Sequence, residues 1–265
     1  MNDGPKSATA ARIYDYLLGG THNFPADRDA VHALVQAAPL VPAIARANRA
    51  FLRRAVRFLA DAGVRQFLDV GSGIPTAGNV HEVAAAVPDA RVVYVDIDPV
   101  AVAESLEILD GNQRATALRG DLQDPEPILD HPDVRRLISF DEPVGLLIVS
   151  VLHFVPDDVE AHDAVAGFRE ALPPGSYLVL SHGVTDLDDL PPDDVEAAMG
   201  VFQARTATPL GTRGRDDIEQ FFGEFEFVEP GLVRTPLWRP APDDPTDFAD
   251  NLHGCNVVAG VARKP

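Results

Sequence analysis

Cysteine is almost absent from this 265-residue chain, whose single example is Cys255. No disulfide can form within the chain, and this composition suits a reducing compartment, so we expect a cytoplasmic protein. Basic residues are also scarce, because 22 lysines and arginines stand against 41 aspartates and glutamates, for a net charge of −19. Such an acidic surface repels the phosphates of nucleic acids and of anionic lipids, which disfavours both as partners.

The sequence also lacks a hydrophobic run long enough to cross a bilayer. The longest apolar stretch, residues 144–155, is too short for a transmembrane helix and contains a histidine. We interpret it as a buried parallel strand and the turn that follows it. Residues 1–10 hold no apolar segment of the kind found in a secretion signal, so no membrane association is predicted.

Helical patterns dominate the first part of the chain, with helices predicted at residues 9–18, 26–37 and 44–61. The third has an apolar stripe at helical spacing and, on its other side, four arginines: Arg46, Arg49, Arg53 and Arg57. We expect these arginines to be solvated and paired with the chain's own acids. The pattern predicts a helical cap or lid, residues 1–63, ahead of a core formed by residues 64–265.

Strand and helix patterns alternate after residue 64, which predicts an α/β fold with a parallel sheet between helices. Strands are predicted at residues 66–70, 91–95, 114–119, 144–150 and 176–182. Helices are predicted at residues 79–87, 99–109 and 157–172, with an irregular stretch before the fourth strand. Two further helices, 191–205 and 215–222, precede strands 225–228 and 256–262. No helix separates those last strands, and the proline-rich linker 230–253 predicts that they pair antiparallel.

The most informative motif, Asp69-x-Gly71-x-Gly73, lies where the first strand ends, and the second strand ends in Asp96. The carboxyl ends of parallel strands meet at one edge of a sheet, where open α/β folds bind nucleoside cofactors. Glycines allow a ligand to approach the backbone closely, and a carboxylate accepts hydrogen bonds from ribose hydroxyls. The sequence therefore predicts a nucleoside-cofactor site at this edge.

Two cofactors compete for this geometry. A dinucleotide fingerprint requires a third glycine at position 76, which is Thr76, and Pro75 has no N–H to hold a diphosphate. S-adenosyl-L-methionine has no phosphate and fits better. It needs the glycine turn for its methionine end, Asp96 for its ribose and a polar group near its adenine, for which Asp121 is the candidate.

The chain resembles the class I S-adenosylmethionine-dependent methyltransferases, and within them a bacterial, uncharacterised family of S-adenosyl methyltransferases. The strings that carry the resemblance are RIYDYLLGG at 12–20, NF at 23–24, DR at 27–28, DVGSGIPT at 69–76 and GNVHE at 78–82. The resemblance implies a Rossmann-like, seven-stranded, mostly parallel sheet with an antiparallel carboxy-terminal pair. It implies S-adenosyl-L-methionine as the cofactor and names no substrate. Pro75 departs from the wider class, in which a third glycine is common.

Candidate site residues follow the strand ends and the amino-terminal string. The predicted cofactor contacts are Asp69, Gly71, Ser72, Gly73, Asp96, Ile97, Asp121, Leu122, Ser150, Val151, Tyr14, His22 and Asn23. The amino-terminal segment that holds Tyr14, His22 and Asn23 is hypothesised to fold over the cofactor as a lid. His153 is the candidate general base, with a purely structural role as the alternative, and His182 is a weaker candidate. The histidines lack ligand spacing, so no metal site is predicted.

These features predict a methyltransferase whose acceptor is unidentified; a small molecule is favoured and a protein side chain stays open. Nucleobase methylation is disfavoured for two reasons. No Asn/Asp-Pro-Pro-aromatic string, the usual signature for methylating exocyclic amino groups, follows the fourth strand. Methylation of a pyrimidine carbon uses a nucleophilic cysteine, and the single cysteine, Cys255, lies by the last strand. Two alternatives stay open: a regulatory protein that binds S-adenosylmethionine without turnover and, disfavoured by residues 75–76, an NAD(P)-dependent oxidoreductase. The sequence indicates no oligomeric state.

Overall fold

In the computed structural model of the chain, residues 7–75, 78–187, 192–206 and 208–265 are described. Thr76, where the dinucleotide fingerprint fails, and Pro191, the predicted start of a helix, lie outside them. The amino-terminal helices are α1 (Ala10–Leu17), α2 (Pro25–Ala37) and α3 (Val41–Asp61). Prolines in the first turns of α2 and α3 set where these helices begin, since proline is tolerated there.

The sheet confirms the predicted fold class. Its strands are β1 (Gln66–Val70), β2 (Arg91–Asp96), β3 (Ala115–Arg119), β4 (Gly145–Val149), β5 (Tyr177–Gly183), β6 (Glu226–Phe227), β7 (Val233–Arg234) and β8 (Val257–Arg263). The order is β3-β2-β1-β4-β5-β8-β6, with β7 also paired to β8. The first five strands are parallel, and β8 runs antiparallel to β5.

Two short strands, β6 and β7, stand where the sequence predicted a single sixth strand, and both pair with β8. The sequence predicted one strand at 225–228 followed by a loop. Pro230 has no N–H for a ladder hydrogen bond, and Gly231 turns the chain with a φ of +84°. The strand therefore breaks at these residues and resumes as β7 inside the predicted loop.

The remaining helices are α4 (Val80–Ala84), α5 (Pro99–Ile108), α6 (Pro125–Leu129), α7 (Pro132–Leu137), α8 (Asp158–Ala171), α9 (Pro192–Arg205) and α10 (Arg215–Gln220). Helix α4 is shorter than predicted, since Pro88 disfavours helical backbone just before it. Helices α6 and α7 lie in the stretch predicted to be irregular. Their prolines start helices rather than break them, and apolar side chains such as Val134 become buried.

Alternate side chains of the strands supply two cores, one on each face of the sheet. Leu68 points to the layer that contains α8, and Phe67 points to the layer that contains α3. On the α3 side, Trp238 is fully buried and packs edge to face on Phe51, with ring centroids 5.4 Å apart. Helix α3 of the cap thus shares one core with the sheet.

Among the described residues, no single helix is both long and apolar enough to span a bilayer. Helices α2 and α3 pass that test of length and composition only as a pair, which is bent by 106°.

Candidate functional site

A cavity of about 600 Å³ lies at the carboxyl edge of the parallel strands, within the size range of small-molecule sites. The ends of β1, β2 and β4 and the loop after β3 form one side of it, and α1 and α3 cover it. The predicted contacts that line it are Tyr14, Asp69, Gly71, Ser72, Gly73, Asp96, Ile97, Asp121, Leu122, Ser150, Val151 and His153. Residues from separate strand ends therefore converge on one cavity, while their contact with a cofactor stays a prediction.

The glycine turn has backbone geometry that only glycine adopts easily. Gly71 has a φ of +73° and Gly73 a φ of +62°, both in the left-handed region. A Cβ built on Gly71 would lie 2.2 Å from a methyl group of Val151. The N–H groups of Gly71 and Ser72 both donate to the Val95 carbonyl of β2, at 2.8 and 3.0 Å. The turn is thus pinned to β2 and pressed against the residue that follows β4.

Asp96 joins the end of β2 to the glycine turn. One carboxylate oxygen accepts from the Gly73 N–H at 2.7 Å, and the other accepts from the Asp98 N–H at 2.9 Å. Burial raises the pKa of Asp96 above its usual range, although these N–H groups partly offset the effect. A carboxylate oxygen has more than one lone pair, so each can still accept from a ligand hydroxyl.

Asp98 caps α5, as its position before Pro99 predicts. Its side chain accepts from the Val100 N–H at 2.9 Å. The other carboxylate oxygen accepts from the Thr9 hydroxyl at 2.7 Å and from Arg12 at 3.2 Å. Because Thr9 and Arg12 belong to the amino-terminal helical cap, these contacts fasten that cap to the sheet beside Asp96.

Asp69, at the end of β1, is only 5% exposed. Burial is the main cause that raises its pKa to about 7, with Asp96 adding to the shift and Arg49 opposing it. A group with this pKa is partly protonated near neutral pH.

The prediction that the arginine stripe of α3 is solvated is wrong for Arg49, which lines the cavity. Its guanidinium lies 5.6 Å from the centre of the Tyr14 ring. Ala45, Asn48 and Leu52 also line the cavity. Their helical spacing in the sequence places them on one face of α3, next to Arg49. The polar residues Asn48 and Arg49 thus interrupt an apolar helix face, a pattern that indicates a binding cavity rather than a hydrophobic core.

A chain of hydrogen bonds connects the cap to the strand ends. The Asn48 amide donates to the Tyr14 hydroxyl at 3.0 Å, and that hydroxyl donates to the Ala45 carbonyl at 3.2 Å. The Ser181 hydroxyl donates to the Asn48 side-chain oxygen at 2.7 Å and lies 3.2 Å from the Ser150 hydroxyl. Burial raises the pKa of Tyr14, which keeps its phenol protonated.

His153 lines the cavity from a short 3-10 turn, Leu152–Phe154, after β4. Its Nδ1 atom is buried and has no hydrogen-bond partner among the described residues. Burial, helped by His182 and Arg213, lowers the pKa of His153 to about 3. The imidazole is therefore neutral at physiological pH, and it is a weak base.

His182 does not line the cavity, and its side chain instead makes contacts within the protein. Its Nδ1 atom lies 2.6 Å from the Gly183 carbonyl oxygen, and its Nε2 atom lies 3.1 Å from Arg213. Arg213 also donates to the carbonyls of Leu152 and Val155, at 3.0 and 2.7 Å. This arginine holds the turn that carries His153 against the end of β5.

His22 and Asn23, which the sequence predicted as cofactor contacts, do not line the cavity. His22 Nδ1 lies 2.5 Å from a carboxylate oxygen of Glu104 on α5. The Asn23 amide donates to Asp15 at 2.8 Å, and its oxygen accepts from Arg28 at 2.9 Å. Both side chains fasten the loop between α1 and α2, and of the three predicted contacts in this segment Tyr14 lines the cavity.

Two further residues were missed by sequence reasoning. Thr208 and Pro209, which follow α9, line the cavity near the end of β4. The Gly211 N–H donates to the His153 carbonyl at 2.7 Å and holds this segment in place. No local pattern identifies such a contact between distant parts of the chain. No group of three or more His, Cys, Asp or Glu side chains is arranged for a metal ion within the described ranges.

Comparison with known proteins gives a consistent result. Residues 4–265 match the model of a family described as S-adenosyl methyltransferase. A candidate methyltransferase from Thermobifida fusca YX is 42% identical, with 97% of this chain and 95% of that chain covered and a TM-score of 0.88. A DUF574 family protein from Streptomyces avermitilis MA-4680 is 39% identical, with 98% of each chain covered and a TM-score of 0.91. A search of curated proteins found no match.

Proposed function

Because this chain belongs to the S-adenosyl methyltransferase family, we propose that it transfers a methyl group from its cofactor, S-adenosyl-L-methionine, to a small-molecule acceptor. When bound, the cofactor supplies a methyl group on a sulfonium, which an acceptor atom displaces in line. Family and fold support methyl transfer in general, and the acceptor class is our proposal. The same family counts against an NAD(P)-dependent oxidoreductase.

The residues of the cavity fit the cofactor. Gly71, Ser72 and Gly73 line the cavity, and glycines without side chains let a ligand approach the backbone closely. Asp96 would hold the ribose hydroxyls with its two oxygens. Asp121 and Leu122, which line the cavity after β3, would border the adenine.

The observation that supports a small-molecule acceptor is the size of the cavity, a partly open cleft of about 600 Å³. Side chains from α1, α3, the strand ends and residues 208–209 line it, and this volume is in the range of sites for small molecules. The lining beyond the glycine turn is largely apolar and includes Phe154, Val155 and Pro209. The net charge of −19 further supports our proposal that nucleic acids and membranes are not partners.

The state of His153 narrows the acceptor chemistry that we propose. A neutral imidazole with a pKa of about 3 accepts a hydrogen bond but removes a proton poorly. The enzyme then works mainly by aligning the reacting groups and excluding water. This supports acceptors that are nucleophilic without a strong base, such as aromatic amines, thiols, carboxylates and acidic phenols.

The test is incubation with methyl-labelled S-adenosylmethionine and a panel drawn from those four acceptor classes, with product detection by mass spectrometry. A labelled, methylated product from one small acceptor supports the proposal, and Asp96→Ala is the control that should lose it. Cofactor binding without product from any acceptor would instead support the regulatory, non-catalytic alternative. Failure to bind either S-adenosylmethionine or S-adenosylhomocysteine would contradict both.

A further inference from the structure

Arg49 stands apart from the other arginines of α3. The four others each pair with an acid of the loop after Trp238: Arg46 with Asp247, Arg53 and Arg54 with Asp244, and Arg57 with Asp243. Among the described residues, no carboxylate oxygen lies within 4 Å of the Arg49 guanidinium, and its Nε atom is buried without a hydrogen-bond partner. A partly buried cation without a salt bridge is costly, and a ligand anion would supply one.

The surroundings of Arg49 indicate which anion it takes. The Arg49 guanidinium lies 5.6 Å from the centre of the Tyr14 ring, and both side chains line the cavity. Asp69, directly before the glycine turn, is close enough for Arg49 to lower its pKa. From β2, Asp96 and Tyr94 also face this acid. One cation and one buried acid therefore lie together beside Gly71.

We propose that Arg49 binds the α-carboxylate of the cofactor's methionine portion, while Asp69 faces its α-ammonium group. This inference rests on the proposed function and identifies the residues that position the cofactor. An α-amino acid carries both charges on one carbon, which matches an arginine and an acid side by side. A guanidinium also presents two parallel N–H groups to a carboxylate, a geometry that lysine does not reproduce.

The position of Asp69 separates this ligand from an acidic acceptor. A lone acceptor carboxylate at Arg49 would meet the negative charge of Asp69 and be repelled. The zwitterionic end of the cofactor instead satisfies both side chains. Arg49 is thus a positioning residue, since it fixes the amino-acid end of the cofactor and does not touch the transferred methyl group.

Calorimetric titration with two ligands tests the inference without relying on turnover. Decarboxylated S-adenosylmethionine lacks only the carboxylate of the intact cofactor. We expect the wild-type protein to bind the intact cofactor about 10- to 100-fold more tightly, the effect of a hydrogen-bonded charge pair. In Arg49→Met the two ligands should bind with similar affinity, and Arg49→Lys should keep part of the preference.

Arg57→Met is the matched control, because Arg57 is an exposed arginine of the same helix that pairs with Asp243. This variant should keep the full preference for the intact cofactor. Equal affinity of the wild-type protein for both ligands would overturn the inference even if the Arg49 variants did not fold. A preference that persists in a folded Arg49→Met protein would also overturn it, while the proposed function would stand. If the wild-type protein bound neither ligand, the proposed function would fail as well.

Discussion

The two ends of the cavity differ in the charged side chains that line them. The charged half, defined by Arg49, Asp69 and Asp96, lies at β1 and β2, whereas the neutral half, defined by Ser150 and His153, follows β4. Burial raises the pKa of both acids in the charged half and lowers the pKa of His153 to about 3 in the neutral half. Only the charged half offers both signs of charge, so we infer that it holds the zwitterionic cofactor and that the neutral half receives the acceptor.

The largest effect is expected where the two halves touch, at Gly71. A Cβ at this position would lie 2.2 Å from Val151 and force a φ of +73° on an L-residue. We expect Gly71→Ala to abolish cofactor binding and to lower the free energy of unfolding by about 2–4 kcal/mol. Urea denaturation and calorimetry with S-adenosylhomocysteine measure the two effects.

Gly111→Ala is the matched control, because Gly111 has a φ of +76° with no neighbouring atom within 4 Å of the added Cβ. The free energy of unfolding should fall by about 1–2 kcal/mol, the cost of a left-handed backbone conformation in an L-residue, and cofactor binding should be kept. Equal effects of the two substitutions would mean that the contact between the halves is unimportant.

The next effect is expected at Asp96, which holds the charged half together. Asp96→Ala removes the acceptor of the Gly73 and Asp98 N–H groups as well as the proposed ribose contact. We expect the binding free energy of S-adenosylhomocysteine to weaken by about 1–3 kcal/mol. The exposed Glu107 supplies the control, Glu107→Ala, and unchanged affinity in Asp96→Ala would contradict the ribose assignment.

A gradual effect should appear in the pH dependence of stability, through Asp69. The pKa of this group is about 7 in the folded protein and about 3.9 in an unfolded chain. Between these values the folded state keeps a proton that the unfolded state has lost. Stability therefore falls as pH rises from about 4 to about 7, with a slope of up to about 1.4 kcal/mol per pH unit from this group.

Asp69→Asn removes that slope, so the stability of the variant relative to the wild-type protein should increase from pH 5 to pH 7 and then level off. Urea denaturation at four pH values between 5 and 8 measures the difference. In the wild-type protein, affinity for S-adenosylhomocysteine should also rise over pH 6–8, because the ligand's ammonium group favours ionised Asp69. Parallel stability curves for the two proteins would refute the raised pKa.

The smallest effect concerns the neutral half. Because the pKa of His153 is about 3, its ring nitrogens should show no titration between pH 5 and 8 in NMR spectra, with His153→Gln used to assign the signals. A transition near the ordinary value of about 6.5 would mean that the neutral half can carry charge. His153 would then regain the role of a general base.

Sequence reasoning succeeded where the pattern is local. The strands, the glycine turn and the acids at strand ends follow from periodicity and from the topology of parallel sheets, and they converge on the cavity. Arg49 could not be separated from Arg46, Arg53 and Arg57, because what distinguishes them is a loop some 190 residues further along the chain. His22 and Asn23 lie outside the cavity for a similar reason, since their partners on α5 and α1 are set by packing.

The central claim is that the charged half binds the cofactor. A crystal structure with S-adenosylhomocysteine tests it most directly. We predict the ribose hydroxyls on Asp96, the amino-acid carboxylate on Arg49 and the ammonium group facing Asp69. A nucleoside bound away from Asp96, or a cavity filled by the polypeptide itself, would contradict the account.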